Sequence, residues 1–371
     1  MNEPFRPPPY PYDRLSEIVA MAGRHEGGAI DLSVGTPCDP PPQMVLEAMA
    51  ASDSERSYPA SIGSLAYRNA AREWMSRRLG AEVGLSQVAA CVGTKEFVTG
   101  LPHLLRLRRP DLDTVLHPAV AYPSYAMGAE LAGCRSVAVP VDDRWRIDLS
   151  QIAPEDADRA LCLWVNTPGN PAGGLDDLDA AAAWGRSHHV PVFSDECYAE
   201  FTWDGPPRSI LASGAEGVVA VHSLSKRSNM AGARAGFYAG DEELVHYLSE
   251  VRKHQGLMVP GPVQAGSVAA WSDDAHVDAQ RHRYWQRLQV LVEIFETLGV
   301  RAVMPGGAFY LWIDAPGGDA WALARRLAEV AGVVVSPGEF YGHAGTSHIR
   351  VAAVQPDDRL ALISRRLEAA S

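Results

Sequence analysis

A lysine that follows an apolar run, with hydroxyls one and three residues before it and an arginine eight residues after it, is equipped to hold a phosphorylated aldehyde. Val221-His222-Ser223-Leu224-Ser225-Lys226, continued by Arg227-Ser228-Asn229-Met230-Ala231-Gly232-Ala233-Arg234, provides that spacing. The amine of Lys226 would form a Schiff base with the aldehyde, while Ser223, Ser225 and Arg234 would hold the phosphate. A solvated lysine in a polar loop after a strand is the plainer reading of so short a motif, and the rest of the chain has to decide between them.

The elements that must position these groups follow from hydrophobic periodicity. Strands are expected at 88–92, 114–116, 136–141, 161–165, 190–194, 218–222 and 236–239, and helices at 95–106, 122–132, 175–188 and 241–253. That alternation predicts an α/β fold with a mainly parallel seven-stranded sheet covered by helices on both faces. In open sheets of this kind ligands gather beyond the carboxyl ends of the strands. The residues that follow the expected strands are Gly93-Thr94-Lys95, Asn166 to Asn170, Asp195 and Ser223 to Lys226, so the sheet would collect them at one edge.

Outside this region the pattern changes. The first thirty residues combine a Pro- and Tyr-rich arm with a short amphipathic segment, and Asp31-Leu32-Ser33-Val34-Gly35-Thr36-Pro37 reads as a strand ending in a turn, where Gly35 lets backbone approach a ligand closely. Ser57 to Gly63 is a loop ahead of a helix carrying Leu65, Ala66, Ala70, Trp74 and Leu79. Beyond residue 272 come a long helix (276–298), a strand ending at Val303, a Pro305-Gly306-Gly307 turn and a strand at 309–313. A helix at 319–331, strands at 333–335 and 348–351 and a closing helix at 356–370 complete the chain. The expected organisation is an arm and part of a small domain in 1–43, a large domain in 44–272 and a smaller α+β domain in 273–371.

Composition narrows the function classes. The 371 residues are 47% hydrophobic and 21% charged, ordinary for a globular protein with a large core. No apolar stretch is long enough to span a membrane and the start lacks an apolar signal core, so a soluble cytoplasmic protein is expected. A net charge of −12 disfavours nucleic acid as a partner. The five cysteines, Cys38, Cys91, Cys134, Cys162 and Cys197, have no paired spacing, which excludes a disulfide framework and leaves no metal site to expect.

Taken together, Asp31 to Pro37, Val92-Gly93-Thr94-Lys95-Glu96, Asn166-Thr167-Pro168-Gly169-Asn170-Pro171, Ser194-Asp195-Glu196-Cys197-Tyr198 and Ser223-Leu224-Ser225-Lys226 resemble, in order and spacing, the fold-type I pyridoxal-phosphate enzymes of the class I/II aminotransferase group. The resemblance runs from about Asp31 to Val351. Val221 to Phe237, Val251 to His254, Met258 to Gln264 and Pro337 to Gly342 look most like the actinobacterial N-succinyldiaminopimelate aminotransferases of lysine biosynthesis. The resemblance implies pyridoxal 5′-phosphate as cofactor, Lys226 as its anchor and proton carrier, Asp195 as partner of the pyridine nitrogen, and Tyr198 with Asn170 on the ring hydroxyl. Gly93, Thr94, the Lys95 amide, Ser223, Ser225 and Arg234 would hold the phosphate, and Tyr122 would stack on the ring. Gly35, Asn170 and Arg350 would meet the substrate, Arg350 gripping its α-carboxylate with a planar fork. Tyr58 matches a residue that reaches the neighbouring subunit's phosphate, which implies a homodimer with shared sites.

The chemistry so implied is transfer of an amino group between glutamate/2-oxoglutarate and another amino-acid/oxo-acid pair, with N-succinyl-LL-2,6-diaminopimelate expected. A second anionic end on the substrate calls for a cation, and Arg227, Arg252 and Lys253 are the candidates. Alternatives on the same scaffold are an aminotransferase for another amino acid or a β-lyase cleaving a C–S bond; a catalytically silent ligand-binding domain is the alternative of another class. One departure from the usual Asn-Pro-Thr-Gly is Asn170-Pro171-Ala172-Gly173, which removes a hydroxyl beside the cofactor.

Overall fold

The structure is a computed structural model and describes residues 5–54 and 56–370. Its central feature is a seven-stranded sheet in the order Val88–Cys91, Gly236–Gly240, Val218–Ser223, Val192–Asp195, Ala160–Asn166, Thr114–Pro118, Arg135–Val139. Gly236–Gly240 is antiparallel to both its neighbours and the other pairs are parallel. Six strands therefore end at the same edge, and the reversed strand begins there. This reversal puts Arg234, two residues ahead of Gly236, on the same rim as the residues that follow Cys91, Asn166, Asp195 and Ser223.

Except in the edge strand Arg135–Val139, strand residues are buried on both faces, and in the central strands they alternate between two cores. Val192, Val218 and Ala220 pack into one, while Phe193, Val219 and Val221 pack into the other, as the two-residue period of a strand requires. Helices such as Thr94–Arg108, Leu178–His188 and Glu242–His254 cover the sheet. A third core gathers Leu15 to Leu32, Tyr198 and Phe201 with residues from Tyr284 to Leu367. Its sheet is antiparallel, Ser336–Pro337 beside His348–Ala352 beside Tyr310–Asp314, and a short parallel pair joins Ile30–Asp31 to Val333–Val334.

Two expectations are corrected, and one helix lies where none is expected. Residues 301–305 are irregular, so no strand ends at Val303. The helix from Leu65 ends at Trp74 and passes into a π-helical turn, Met75–Leu79, closed by Gly80 at φ 64°. A helix at Gly261–Ser272 was not expected; its apolar residues are not confined to one face, and periodicity has little to detect in such a segment.

Candidate active site

Lys226 lies on a single helical turn, Leu224–Arg227, that starts where the strand Val218–Ser223 ends. The side chain of Ser223 caps this turn by accepting from the Ser225 amide at 3.0 Å, and the two hydroxyls are 2.8 Å apart. Lys226 Nζ donates to the carbonyl of Gly35. The amine's pKa falls from 10.5 to about 8, first because burial disfavours the charged form and then because Arg350 stands near, with Arg234 adding a smaller push. Glycine at position 35 is a steric necessity: a Cβ there would stand 2.0 Å from the hydroxyl oxygen of Tyr310.

Asp195 ends the neighbouring strand and is buried. Tyr125 donates to its Oδ2 at 2.8 Å and the Cys197 amide to its Oδ1 at 3.2 Å. Burial raises its pKa against the pull of those hydrogen bonds, so a cationic partner would relieve it. Asn166, at the end of the next strand, donates to the Asp195 carbonyl at 2.8 Å and accepts from the Asn170 amide at 2.8 Å. Half-buried Asp176 pins the other side of this loop, accepting from the Ile147 amide and from Thr167 Oγ1; loss of solvent around the carboxylate lifts its pKa to about 6.

Gly93 adopts φ 79° just ahead of the helix Thr94–Arg108, and no side chain caps that helix. Its free first-turn amides make an anion seat. The Arg234 guanidinium lies against Gly93, where a Cβ would stand 2.0 Å from Nη2. Cys197 Sγ reaches Thr94 Oγ1 at 3.4 Å, tying this seat to the Asp195 turn. Tyr122 is half-buried, with its ring 6.1 Å from that of Tyr125 and nearly perpendicular to it. Lys95 is exposed, its ammonium 5.3 Å from the Tyr10 ring centroid.

Arg350 comes from the other lobe, on the strand His348–Ala352, and is buried. Nη1 donates to Asn170 Oδ1 at 2.8 Å, and Nη2 donates to Tyr12 Oη at 3.2 Å and to the Ser33 carbonyl. The guanidinium carbon is 4.2 Å from the Tyr310 ring centroid and 4.7 Å from that of Tyr341. Tyr198, also buried, has its hydroxyl 2.7 Å from that of Tyr310.

The fold thus gathers Lys226, Asp195, Asn170, Arg350, Gly35, Tyr198, Tyr122, Gly93, Thr94, Ser223, Ser225 and Arg234 around one cleft. Tyr58 stands apart, 95% exposed. Of the three cations expected at the distal end of a substrate, Arg227 and Arg252 are buried and paired elsewhere, which corrects that expectation for these two. Arg227 is buried between Trp74 and Trp271 and donates to Glu200 at 3.1 Å; Arg252 is buried against Glu96 and over Phe97; exposed Lys253 faces Glu250 at 3.5 Å. Tyr12, Tyr125, Tyr310 and Tyr341 are contacts that sequence reasoning missed. Only Tyr125 left a trace, three residues after Tyr122, in the first turn of the helix Ser124–Leu131.

The family model for aminotransferase class I and II matches residues 28–365. The chain belongs to that family. It is 39% identical over 368 residues to the 4-dedimethylamino-4-oxo-anhydrotetracycline transaminase OxyQ of Streptomyces rimosus, covering 97% of this chain and 99% of that one. It is 41% identical over 373 residues to a probable aminotransferase of Mycobacterium tuberculosis, covering 97% and 85%. The solved structure of a probable N-succinyldiaminopimelate aminotransferase from Thermus thermophilus superposes with a TM-score of 0.86 at 30% identity, over 97% of this chain and all of that one.

Members of the family depend on pyridoxal phosphate, and the chain is a pyridoxal-phosphate-dependent transaminase. Its residues fit that cofactor. The uncapped helix, Arg234 and the serine pair suit a phosphate, Asp195 suits a protonated ring nitrogen, and Lys226 is an amine that loses its proton readily. No helix among the described residues is long and apolar enough to cross a membrane.

Proposed function

We propose that this transaminase moves an amino group between glutamate and an oxo acid with a second anionic end, and that its partner pair is N-succinyl-LL-2,6-diaminopimelate and the corresponding oxo acid. One observation carries the amino-acid part of this reading. Arg350 is a buried guanidinium beside Lys226, and among the described residues neither cation has a carboxylate within ion-pair distance. Burying a cation without an anion is costly, so the site is built for a carboxylate brought in by the substrate. Held on the fork of Arg350, the α-carbon would face Lys226.

When bound, pyridoxal phosphate supplies an electron sink for the charge left at the α-carbon. Lys226, with a pKa near 8, has a sizeable neutral fraction at neutral pH and is suited to take the α-proton and return it. Asp195 would keep the ring nitrogen protonated, with Tyr125 and the Cys197 amide fixing its carboxylate. Asn170 orients Arg350. For the distal anion the mouth offers Lys95, exposed and without a carboxylate partner among the described residues. The resemblance in sequence and the Thermus neighbour's printed name support the succinyl substrate.

We further infer a homodimer in which Tyr58, a large aromatic left bare by its own chain, completes the neighbour's phosphate seat, and domain boundaries near residues 43 and 272. The Streptomyces relative favours a second reading, a bulky cyclic ketone as acceptor. One panel separates them: glutamate-loaded enzyme is challenged with the succinylated oxo acid, common oxo acids and polycyclic ketones, and recovery of the cofactor's absorbance is followed. Parallel double-reciprocal lines with the succinylated acceptor are expected. Recovery with ketones alone would overturn the first reading, and pyruvate, ammonia and a thiol released from a β-thio amino acid such as cystathionine, with no oxo acid present, would mark a β-lyase.

A further inference from the structure

The donors of Arg350 can be counted one by one. A guanidinium offers a carboxylate two parallel pairs of N–H groups, Nε with Nη2 along its side and Nη1 with Nη2 at its end. Both pairs need Nη2. In this chain the two hydrogens of Nη2 are committed to Tyr12 Oη and the Ser33 carbonyl, while Nε has no partner and Nη1 has one hydrogen spare. A substrate carboxylate can dock with two bonds only if one of the partners of Nη2 withdraws.

The Ser33 carbonyl is poorly placed to move. It also accepts from Ser336 Oγ at 2.7 Å, and the residue before it is tied by backbone bonds of 2.8 Å to Val334 and Ala352. Tyr12 differs. It lies on the short turn Pro11–Leu15 of the N-terminal arm, after exposed residues 5–10, and its ring packs edge-on to Phe340 at 5.6 Å. Besides Arg350 its hydroxyl has one side-chain partner, Tyr341 Oη at 2.9 Å, so two hydrogen bonds between neutral or singly charged groups are all that this hydroxyl gives up.

We propose that Tyr12 holds, in the substrate-free chain, the place on Arg350 that one carboxylate oxygen of the substrate takes, and that substrate displaces it together with the arm. The inference rests on the reading of Arg350 as the carboxylate site. It makes Tyr12 a specificity-determining residue. A ligand with a carboxylate replaces a bond to a neutral hydroxyl by one to an anion, whereas a plain amine or ketone has no anion to offer Nη2 in exchange.

The test uses holoenzyme and glutarate, a dicarboxylate without an amino group, as probe. Tyr12→Phe keeps the ring and removes only the competing hydroxyl, so glutarate should bind about three- to tenfold more tightly by titration calorimetry. The KM for glutamate should fall by a similar factor, with the gain on KM rather than kcat. Amides of residues 8–16 in the unsubstituted enzyme should exchange hydrogen faster when glutarate is bound. Weaker or unchanged glutarate binding by Tyr12→Phe, or slower or unchanged exchange in the arm, would overturn the proposal, because a supporting role for the hydroxyl predicts loss and not gain. Arg350→Lys separates the two levels. If glutarate still binds that variant as before, the reading of Arg350 fails and this inference with it; if binding is lost there yet unimproved by Tyr12→Phe, only the part assigned to Tyr12 falls.

Discussion

Replacing Lys226 with methionine should abolish turnover and at the same time stabilise the cofactor-free protein. The lysine is held in a place that disfavours its charged form, with a pKa lowered from 10.5 to about 8 by burial and by Arg350. The sign follows from linkage: between those two values the unfolded chain binds more protons than the folded one, so stability rises with pH there. At neutral pH the amine must either stay charged in an unfavourable site or give up its proton, and the shift corresponds to roughly 3 kcal/mol. The side chain keeps some access to the cleft and donates to the Gly35 carbonyl, so about 2 kcal/mol is the expected net cost. Methionine has a similar length and no charge. Urea unfolding of cofactor-free wild type and Lys226→Met, at one protein concentration, should show the variant more stable by about 2 kcal/mol at pH 7, with the advantage shrinking to less than half by pH 9.5. A variant less stable at pH 7, or a gain that does not change with pH, would refute the placement of this amine.

Other consequences can be checked with the intact enzyme. Arg350→Lys should raise the KM of amino and oxo acid alike by about a hundredfold, since an ammonium cannot reproduce the fork, while the cofactor's absorbance band persists. Gly35→Ala drives a methyl group to 2.0 Å from Tyr310 Oη and disturbs the ring under Arg350, and steady-state kinetics should show at least about a tenfold loss in kcat/KM. Asp195→Asn should bind cofactor yet lose about a hundredfold or more in kcat, read in single-turnover absorbance traces. Subunits carrying Tyr58→Ala and Lys226→Ala, each inactive alone, should regain roughly a quarter of wild-type activity when randomly mixed, if Tyr58 serves the partner's site; no recovery in mixed dimers would remove it from that role.

Much of the site could be read in the sequence because its residues sit where regular elements end. Lys226, Asp195 and Asn170 follow three adjacent strands whose apolar runs are plain, and a sheet with those strands parallel has to bring their ends together. Arg234 needed one fact more, the reversed direction of Gly236–Gly240. What stayed hidden was set by tertiary contact. Tyr12 meets Arg350 across 338 positions, and no local pattern announces that bond. The same holds for the distal cation. Arg227 and Arg252 look like free charges beside the cofactor lysine and a glycine loop, but burial and pairing with Glu200 and Glu96 depend on helices from distant parts of the chain.

The central claim is that Lys226 is the covalent anchor of the cofactor. The chain contains only three lysines, Lys95, Lys226 and Lys253, and the other two are exposed. Borohydride reduction of the holoenzyme followed by peptide mass mapping should therefore find the phosphopyridoxyl mass on Lys226 alone, in about one copy per chain. A tag on Lys95 or Lys253, or no tag on an enzyme that still turns over, would contradict the account.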